Sequence, residues 1–254
     1  MNIVCIGSGN VATHLAIAFK AVGAEIAQVW SQNIKNAETL AALTKATPIS
    51  KWKDLDLFAD CYLISVKDDA IAEVAAHLKD VRGIVIHTSG ATPLSILAGS
   101  GTGYGVLYPL QTFSKTKAVD LTKVPFCIEA DDAYTLEKVS AIAHLLSPLV
   151  SEVSSDQRKI LHLAAVFACN FSNHLYHLSS VLLKQHHLNF DLLKPLILET
   201  AEKVQSALPV NVQTGPAVRN DQDTMNRHLD LLNGSPELQE IYETLSNSIK
   251  KTHL

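Results

Sequence analysis

The sequence predicts a chain in two parts: an α/β part built on a doubly wound, mostly parallel sheet, and an all-α part after it. Three observations carry this. Short, continuously apolar runs alternate with segments of helical spacing up to about residue 153, and continuous rather than alternating apolarity marks strands covered on both faces. A glycine-rich turn, Gly7-Ser8-Gly9-Asn10-Val11-Ala12, joins the first apolar run to the first helical one. Beyond Ser154-Ser155 the strand signal stops and long helical stretches take over. Residues 1–153 are therefore expected to form the first domain and 154–254 the second.

Taken in order, Ile3–Ile6, Glu25–Trp30, Cys61–Val66 and Gly83–His87 read as buried strands, separated by helical patterns at Val11–Val22, Ile34–Thr44 and Ala70–Leu78. Such β-α-β-α order is that of a parallel sheet with helices on both faces. Runs at Gly105–Leu107, Phe126–Ile128 and Leu149–Val150 extend the sheet. Ser154 with Gln157 three residues later is a capping box opening a helix that runs through Leu183. Further helices are expected at Phe190–Leu208, Asp221–Leu232 and Pro236–Lys250.

A net charge of -4 gives no general attraction to nucleic acid or to an anionic membrane. Cys5, Cys61, Cys127 and Cys169 each lie in an apolar run with no CxxC pair, which reads as buried reduced thiols of a cytoplasmic protein. The N-terminus lacks the basic region of a signal peptide, and the apolar run at 160–171 is too short to span a bilayer.

The glycine turn follows a strand and opens a helix, which is the context of a dinucleotide site. Gly7 permits the tight turn, Gly9 lets a pyrophosphate reach the main chain, and the free amides at Ser8, Asn10 and Val11 attract its charge. The second strand ends in Ser31-Gln32-Asn33 with Lys35 near, and no carboxylate stands there to repel a 2′-phosphate, so NADP(H) is favoured over NAD(H). Val66 and Lys67 lie at the carboxyl end of a strand, where ligands of such sheets sit, and Asp68 or Asp69 is placed to cap the next helix. Ser89-Gly90 lies at another such end, within reach of the nicotinamide ribose or a substrate.

The segments "CIGSGNVATHL", "HTSGATPLSIL", "LYPLQTFS" and "QTGPAVRNDQDT" together resemble the Rossmann-like family that carries the DUF2520 domain, relatives of pyrroline-5-carboxylate reductase, ketopantoate reductase and 6-phosphogluconate dehydrogenase. The resemblance covers nearly the whole chain. It implies an NADP-binding Rossmann domain, a helical domain of the 6-phosphogluconate dehydrogenase type and a homodimer formed through that helical half. Three positions depart from the family: Gln32 stands where arginine is commoner, Tyr108 where histidine is, and Asn220 where glycine is. Tyr108 retains a proton to donate.

A hydride-transfer reaction needs a group that moves the proton on the substrate's oxygen or nitrogen. Hydroxyacid dehydrogenases of related fold use a lysine and an asparagine one helical turn later, and no lysine precedes Asn170 or Asn173 by four residues here. Asn170, Asn173, His174 and His177 recur at i+3 and i+4 spacing, as a polar pocket wall or as paired interface groups. Two histidines without a third ligand at motif spacing give no metal site. Arg219 reads either as part of a helix-connecting turn, with Asp221 as N-cap, or as a clamp on a substrate carboxylate.

The expectation is an NADP(H)-dependent oxidoreductase acting on a small anionic carbonyl or imine. Asn173, His174 and Tyr108 would donate or orient the proton, and Asn170 and Arg219 would bind substrate. The alternative is a dinucleotide-binding sensor without turnover, suggested by the missing lysine and the three departures.

Overall fold

The structure, a computed structural model, describes residues 1–253. Packing divides the chain into two compact units, Met1–His174 and a second beginning at Leu175.

The first unit holds one sheet of eight strands: β1 (Asn2–Ile6), β2 (Glu25–Trp30), β3 (Thr47–Ile49), β4 (Cys61–Ile64), β5 (Ile84–His87), β6 (Tyr104–Pro109), β7 (Phe126–Ala130) and β8 (Val150–Glu152). Their order across the sheet is β3-β2-β1-β4-β5-β6-β7-β8. All neighbours are parallel except β6 and β7. The order reverses between β1 and β4, and a cleft is expected outside the carboxyl ends of these strands.

Alternation along each strand decides which layer it feeds. Ile3 and Cys5 of β1 pack with Leu15, Ala16 and Phe19 of helix α1 (Asn10–Ala21), with Leu40 of α2 (Ile34–Thr44) and with Val139 and Ile142 of α4 (Ala133–His144). Val4 and Ile6 point the other way, onto Ile71 and Val74 of α3 (Ile71–Ala76), and onto Leu78 and Leu97. Each fully buried large side chain contributes about 2 kcal/mol relative to exposure, so a two-sided core fixes the register of the central strands.

The long helix begins as expected. Ser154 accepts from the Gln157 amide, and the Gln157 side chain accepts from the Ser154 amide, capping α5 (Ser155–Ala165). A π-helical segment, Val166–Phe171, follows, and then α6 (Ser172–Gln185). Nothing in the apolar spacing announces that segment. It contains Cys169, which is exposed, whereas Cys5, Cys61 and Cys127 are buried free thiols. The expectation of four buried cysteines is corrected at this one position. Burial pushes the Cys5 thiol up to about 12, so it is an inert packing group.

Strand β3 has little signal in the sequence, because it is three residues long with a proline at its centre. Strand β4 ends at Ile64, leaving Val66 in the turn beyond. Asp68 and Asp69 lie in a one-turn 3-10 helix and make no capping bond at the start of α3.

The second unit contains the remainder of α6, α7 (Lys194–Ser206), α8 (Pro209–Val212), α9 (Gln222–Leu231) and α10 (Pro236–His253). Asp221 caps α9 by accepting from the Thr224 amide at 3.0 Å, and His228 of α9 bonds the Tyr242 hydroxyl of α10 at 2.8 Å. Among its described residues only Ala217 and Met225 are fully buried, while Leu192, Leu196, Leu208 and Leu231 are exposed.

Candidate active site

The turn after β1 is shaped by its glycines. Gly7 adopts φ 115, its amide donates to the Trp30 carbonyl at 2.9 Å, and a Cβ there would stand 2.3 Å from the Ser65 carbonyl oxygen. Only glycine fits the backbone geometry and the close approach to the end of β4. Gly9 differs: as N-cap of α1 it makes no side-chain cap bond, and a Cβ would meet nothing within 4 Å. The space beside it opens to the cleft, in front of the free amides of α1, a suitable place for an anion. Ala12 is buried against the sheet, as close helix packing requires.

A cavity of about 910 Å³ runs from this turn along the strand ends. Gly7, Ser8, Gly9, Asn10 and Val11 line it at one place, Ser31 and Gln32 at the end of β2, Val66 and Lys67 beyond β4, and Ser89 and Tyr108 beyond β5 and on β6. Thus every residue expected to hold cofactor shares a single cavity with Tyr108. Ser8 donates to the Ser31 hydroxyl at 3.2 Å. Trp30, Trp52 and His77 stack in sequence, with centroids 4.1 and 4.5 Å apart, and both tryptophans line the cavity. Ser89 also shapes its turn, its hydroxyl accepting from the amides of Ala91 and Thr92 and donating to the Thr92 hydroxyl.

His162 of α5 lines the cavity and was missed by sequence reasoning, as were Trp52, Ser65 and Thr88. Its Nδ1 lies 3.0 Å from the Tyr108 hydroxyl, with the two rings edge to face. Burial raises the pKa of Tyr108, with the thiol of Cys127 acting in the same direction. No local signal pairs residues 54 positions apart. Asn170, Asn173 and His174 are exposed positions along the same long helix and do not line this cavity. Arg219 is an exposed turn residue of the second unit.

Beneath the cavity lies a buried polar network. Arg158, 0% exposed, pairs with Glu129 of β7, and its Nη2 donates to the Thr92 carbonyl at 2.7 Å and to the Ser155 hydroxyl at 3.3 Å. Glu129 accepts from the Ser155 amide and hydroxyl at 2.9 and 2.7 Å. Burial alone would raise the Glu129 carboxyl, yet hydrogen bonds from Arg158 and Ser155 hold it below the usual range. His87, fully buried at the end of β5, accepts from the Ser89 amide through Nδ1. Desolvation, helped by the charge of Arg158, lowers its pKa to about 4, so it is neutral at pH 7.

Among the described residues no group of three histidine, cysteine or acidic side chains is placed to hold a metal, and no helix is long and apolar enough to cross a membrane.

Comparison with known proteins places these features in a family. Residues 2–89 match the model described as "NADP oxidoreductase coenzyme F420-dependent", and residues 124–249 match the domain of unknown function DUF2520. The crystal structure of the "putative NADP oxidoreductase" of Bacteroides fragilis is 43% identical over 98% of both chains, with a TM-score of 0.93. Two more distant structures share the fold. An imine reductase of Myxococcus stipitatus in complex with NADP+ has 16% identity, covering 99% of this chain and 92% of its own, with a TM-score of 0.64. A pyrroline-5-carboxylate reductase of Coxiella burnetii has 20% identity, covering 100% and 98%, with a TM-score of 0.58. None of the curated proteins matches the chain. NADP(H), the cofactor favoured by the sequence, is the one named both for the family matched by residues 2–89 and for the Bacteroides relative. On identity and coverage, the chain belongs to the DUF2520 family of Rossmann-fold NADP oxidoreductases.

Proposed function

We propose that this protein is an NADP(H)-dependent oxidoreductase that reduces or oxidises a small carbonyl or imine compound bearing an anionic group. The observation that carries the reading is the single cavity joining the glycine turn, Gly9 above all, to the Tyr108 hydroxyl. The turn supplies open main-chain amides for a pyrophosphate, and the far end supplies a buried hydroxyl for the reacting heteroatom. Ser31 and Gln32, with no acid among them, suit a ribose 2′-phosphate. Val66, Lys67 and Ser89 flank the nicotinamide half.

When bound, NADP(H) would supply or take the hydride; the chain itself binds, orients and handles the proton. Arg219 is assigned to a substrate carboxylate by its residue type and the family resemblance; by residue type and helical spacing, Asn173 and His174 are assigned as proton donors or orienters and Asn170 to substrate binding. The scarcity of buried side chains in the helical half supports homodimerisation through it, because a unit with this much exposed apolar surface gains stability from a partner. The free cysteines suit a cytoplasmic protein.

The test is oxidation of NADPH, followed in absorbance, across a set of 2-oxo acids and cyclic imino acids. Turnover of one of them, with Arg219→Ala raising KM about tenfold or more as expected for loss of a charge-assisted contact, supports the reading. Tight NADPH binding with no oxidation of any compound would favour the sensor instead.

A further inference from the structure

We infer that Tyr108 and His162 form a proton-relay pair, in which Tyr108 protonates the heteroatom of a neutral carbonyl or imine and His162 resupplies the phenol. The inference rests on the reductase reading above. Tyr108 comes from β6 and His162 from α5, yet their polar atoms meet at 3.0 Å on the wall of one cavity. The pair is enclosed by design of the backbone. A Cβ on Gly90 would stand 2.7 Å from His162 Nδ1 and 2.8 Å from Tyr108 Cζ, so only glycine lets the turn after β5 close on both rings.

Glu129 and Arg158 act as positioning residues. Glu129 ties β7 to the first turn of α5, and Arg158 ties that same turn to the Thr92 carbonyl. His162 follows Arg158 by four residues on the same helical face. An ion pair whose arginine is fully buried therefore sets where His162 stands relative to both Tyr108 and the Gly90 turn. The charged and titratable groups that act on Tyr108 are Arg158 from α5, Asp68 from the turn after β4, Cys127 from β7 and Cys169 from the π-helical segment. Burial keeps the phenol protonated, as a proton donor must be.

With NADPH bound, the substrate carbon would accept the hydride it supplies, and the electron pair of the double bond would pass to oxygen or nitrogen. That atom takes the Tyr108 proton, the phenol oxygen takes the Nδ1 proton of His162, and His162 regains one from water in the cavity. NADPH, one proton and the substrate give NADP+ and an alcohol or amine. An iminium ion would need no such proton, so the pair selects compounds that arrive neutral at the reacting atom.

The experiment uses the full-length protein with NADPH and two probes, glyoxylate and 1-pyrroline-2-carboxylate. Calorimetry measures NADPH binding in parallel for wild type, Tyr108→Phe and His162→Ala. Expected are unchanged NADPH affinity in both variants, a kcat lower by about 100-fold or more in Tyr108→Phe with little change in KM, and a lowered kcat in His162→Ala that added imidazole restores. Loss of a merely structural histidine would not be rescued by imidazole. Tyr108→Phe retaining kcat within threefold, or His162→Ala keeping the wild-type kcat or gaining nothing from imidazole, would overturn the relay while leaving the cofactor reading intact. Binding without oxidation of either probe overturns the substrate assignment, and absence of NADPH binding overturns the cofactor reading and the relay with it.

Discussion

Gly7 and His87 show how single residues carry the site. Replacing Gly7 with alanine forces a side chain into φ 115 and against the Ser65 carbonyl, and backbone strain of this kind costs on the order of 1–3 kcal/mol before any clash is counted. Denaturant melts of Gly7→Ala should therefore show a lower midpoint with an unchanged slope. His87 makes a pH prediction. Its folded pKa of about 4 lies below the ordinary 6.5, so the unfolded chain binds the proton more readily. The stability it contributes is present above pH 6.5 and is lost as the pH falls towards 4, amounting to about 3 kcal/mol in all. Melts between pH 7 and 4.5 should lose less stability in His87→Leu than in wild type, and equal losses would contradict this. At this scale the sequence was readable wherever the backbone itself demanded a residue type. Gly7 and Ala12 are such cases, whereas His162 owes its importance to a partner on another element.

At the scale of elements, the pairing of Glu129 with the first turn of α5 is the joint on which the site depends. Glu129→Gln leaves Arg158 charged and buried with no counter-ion, and because Glu129 is itself partly exposed the cost is about 2–3 kcal/mol, below that of a fully buried pair. A double-mutant cycle with Arg158→Met should return part of this loss, since removing both charges is far less costly than removing one. Full additivity in the melts would show the two side chains to be uncoupled. The stack of Trp30, Trp52 and His77 joins β2 to the segments before β4 and after α3. These are the two tryptophans of the chain, and both line the cavity. Tryptophan fluorescence should thus fall on NADPH binding, with energy transfer to the reduced nicotinamide. An unchanged spectrum at saturation would place the nucleotide elsewhere. Most strands and helices were legible because apolar period and capping residues agree, as at Ser154 and Gln157. The π-helical segment Val166–Phe171 was not, since one extra residue taken into a turn shifts the phase of a helix without changing its composition.

For the whole molecule, the order of the strands brings the ends of β1, β2, β4, β5 and β6 to one cavity, so residues from Gly7 to His162 meet although they are scattered through the sequence. That convergence was legible in outline from the β-α-β-α order, because ligands of such sheets lie at the strand ends. The helical half gives a separate prediction. Leu231, 75% exposed, stands with Leu192, Leu196 and Leu208 on surfaces that a lone unit leaves in water. Sedimentation should find a dimer, and Leu231→Glu combined with Leu196→Glu should shift it towards monomer; a wild-type monomer at micromolar concentration would contradict the assignment. The central claim concerns the cavity and is tested most directly by calorimetric titration of NADPH into wild type and into Gly9→Asp. A side chain at Gly9 meets no protein atom within 4 Å, so the variant folds and sets a carboxylate where the pyrophosphate would lie. Tight binding by wild type and its loss in Gly9→Asp is the predicted result; equal binding by both, or binding by neither, would contradict it.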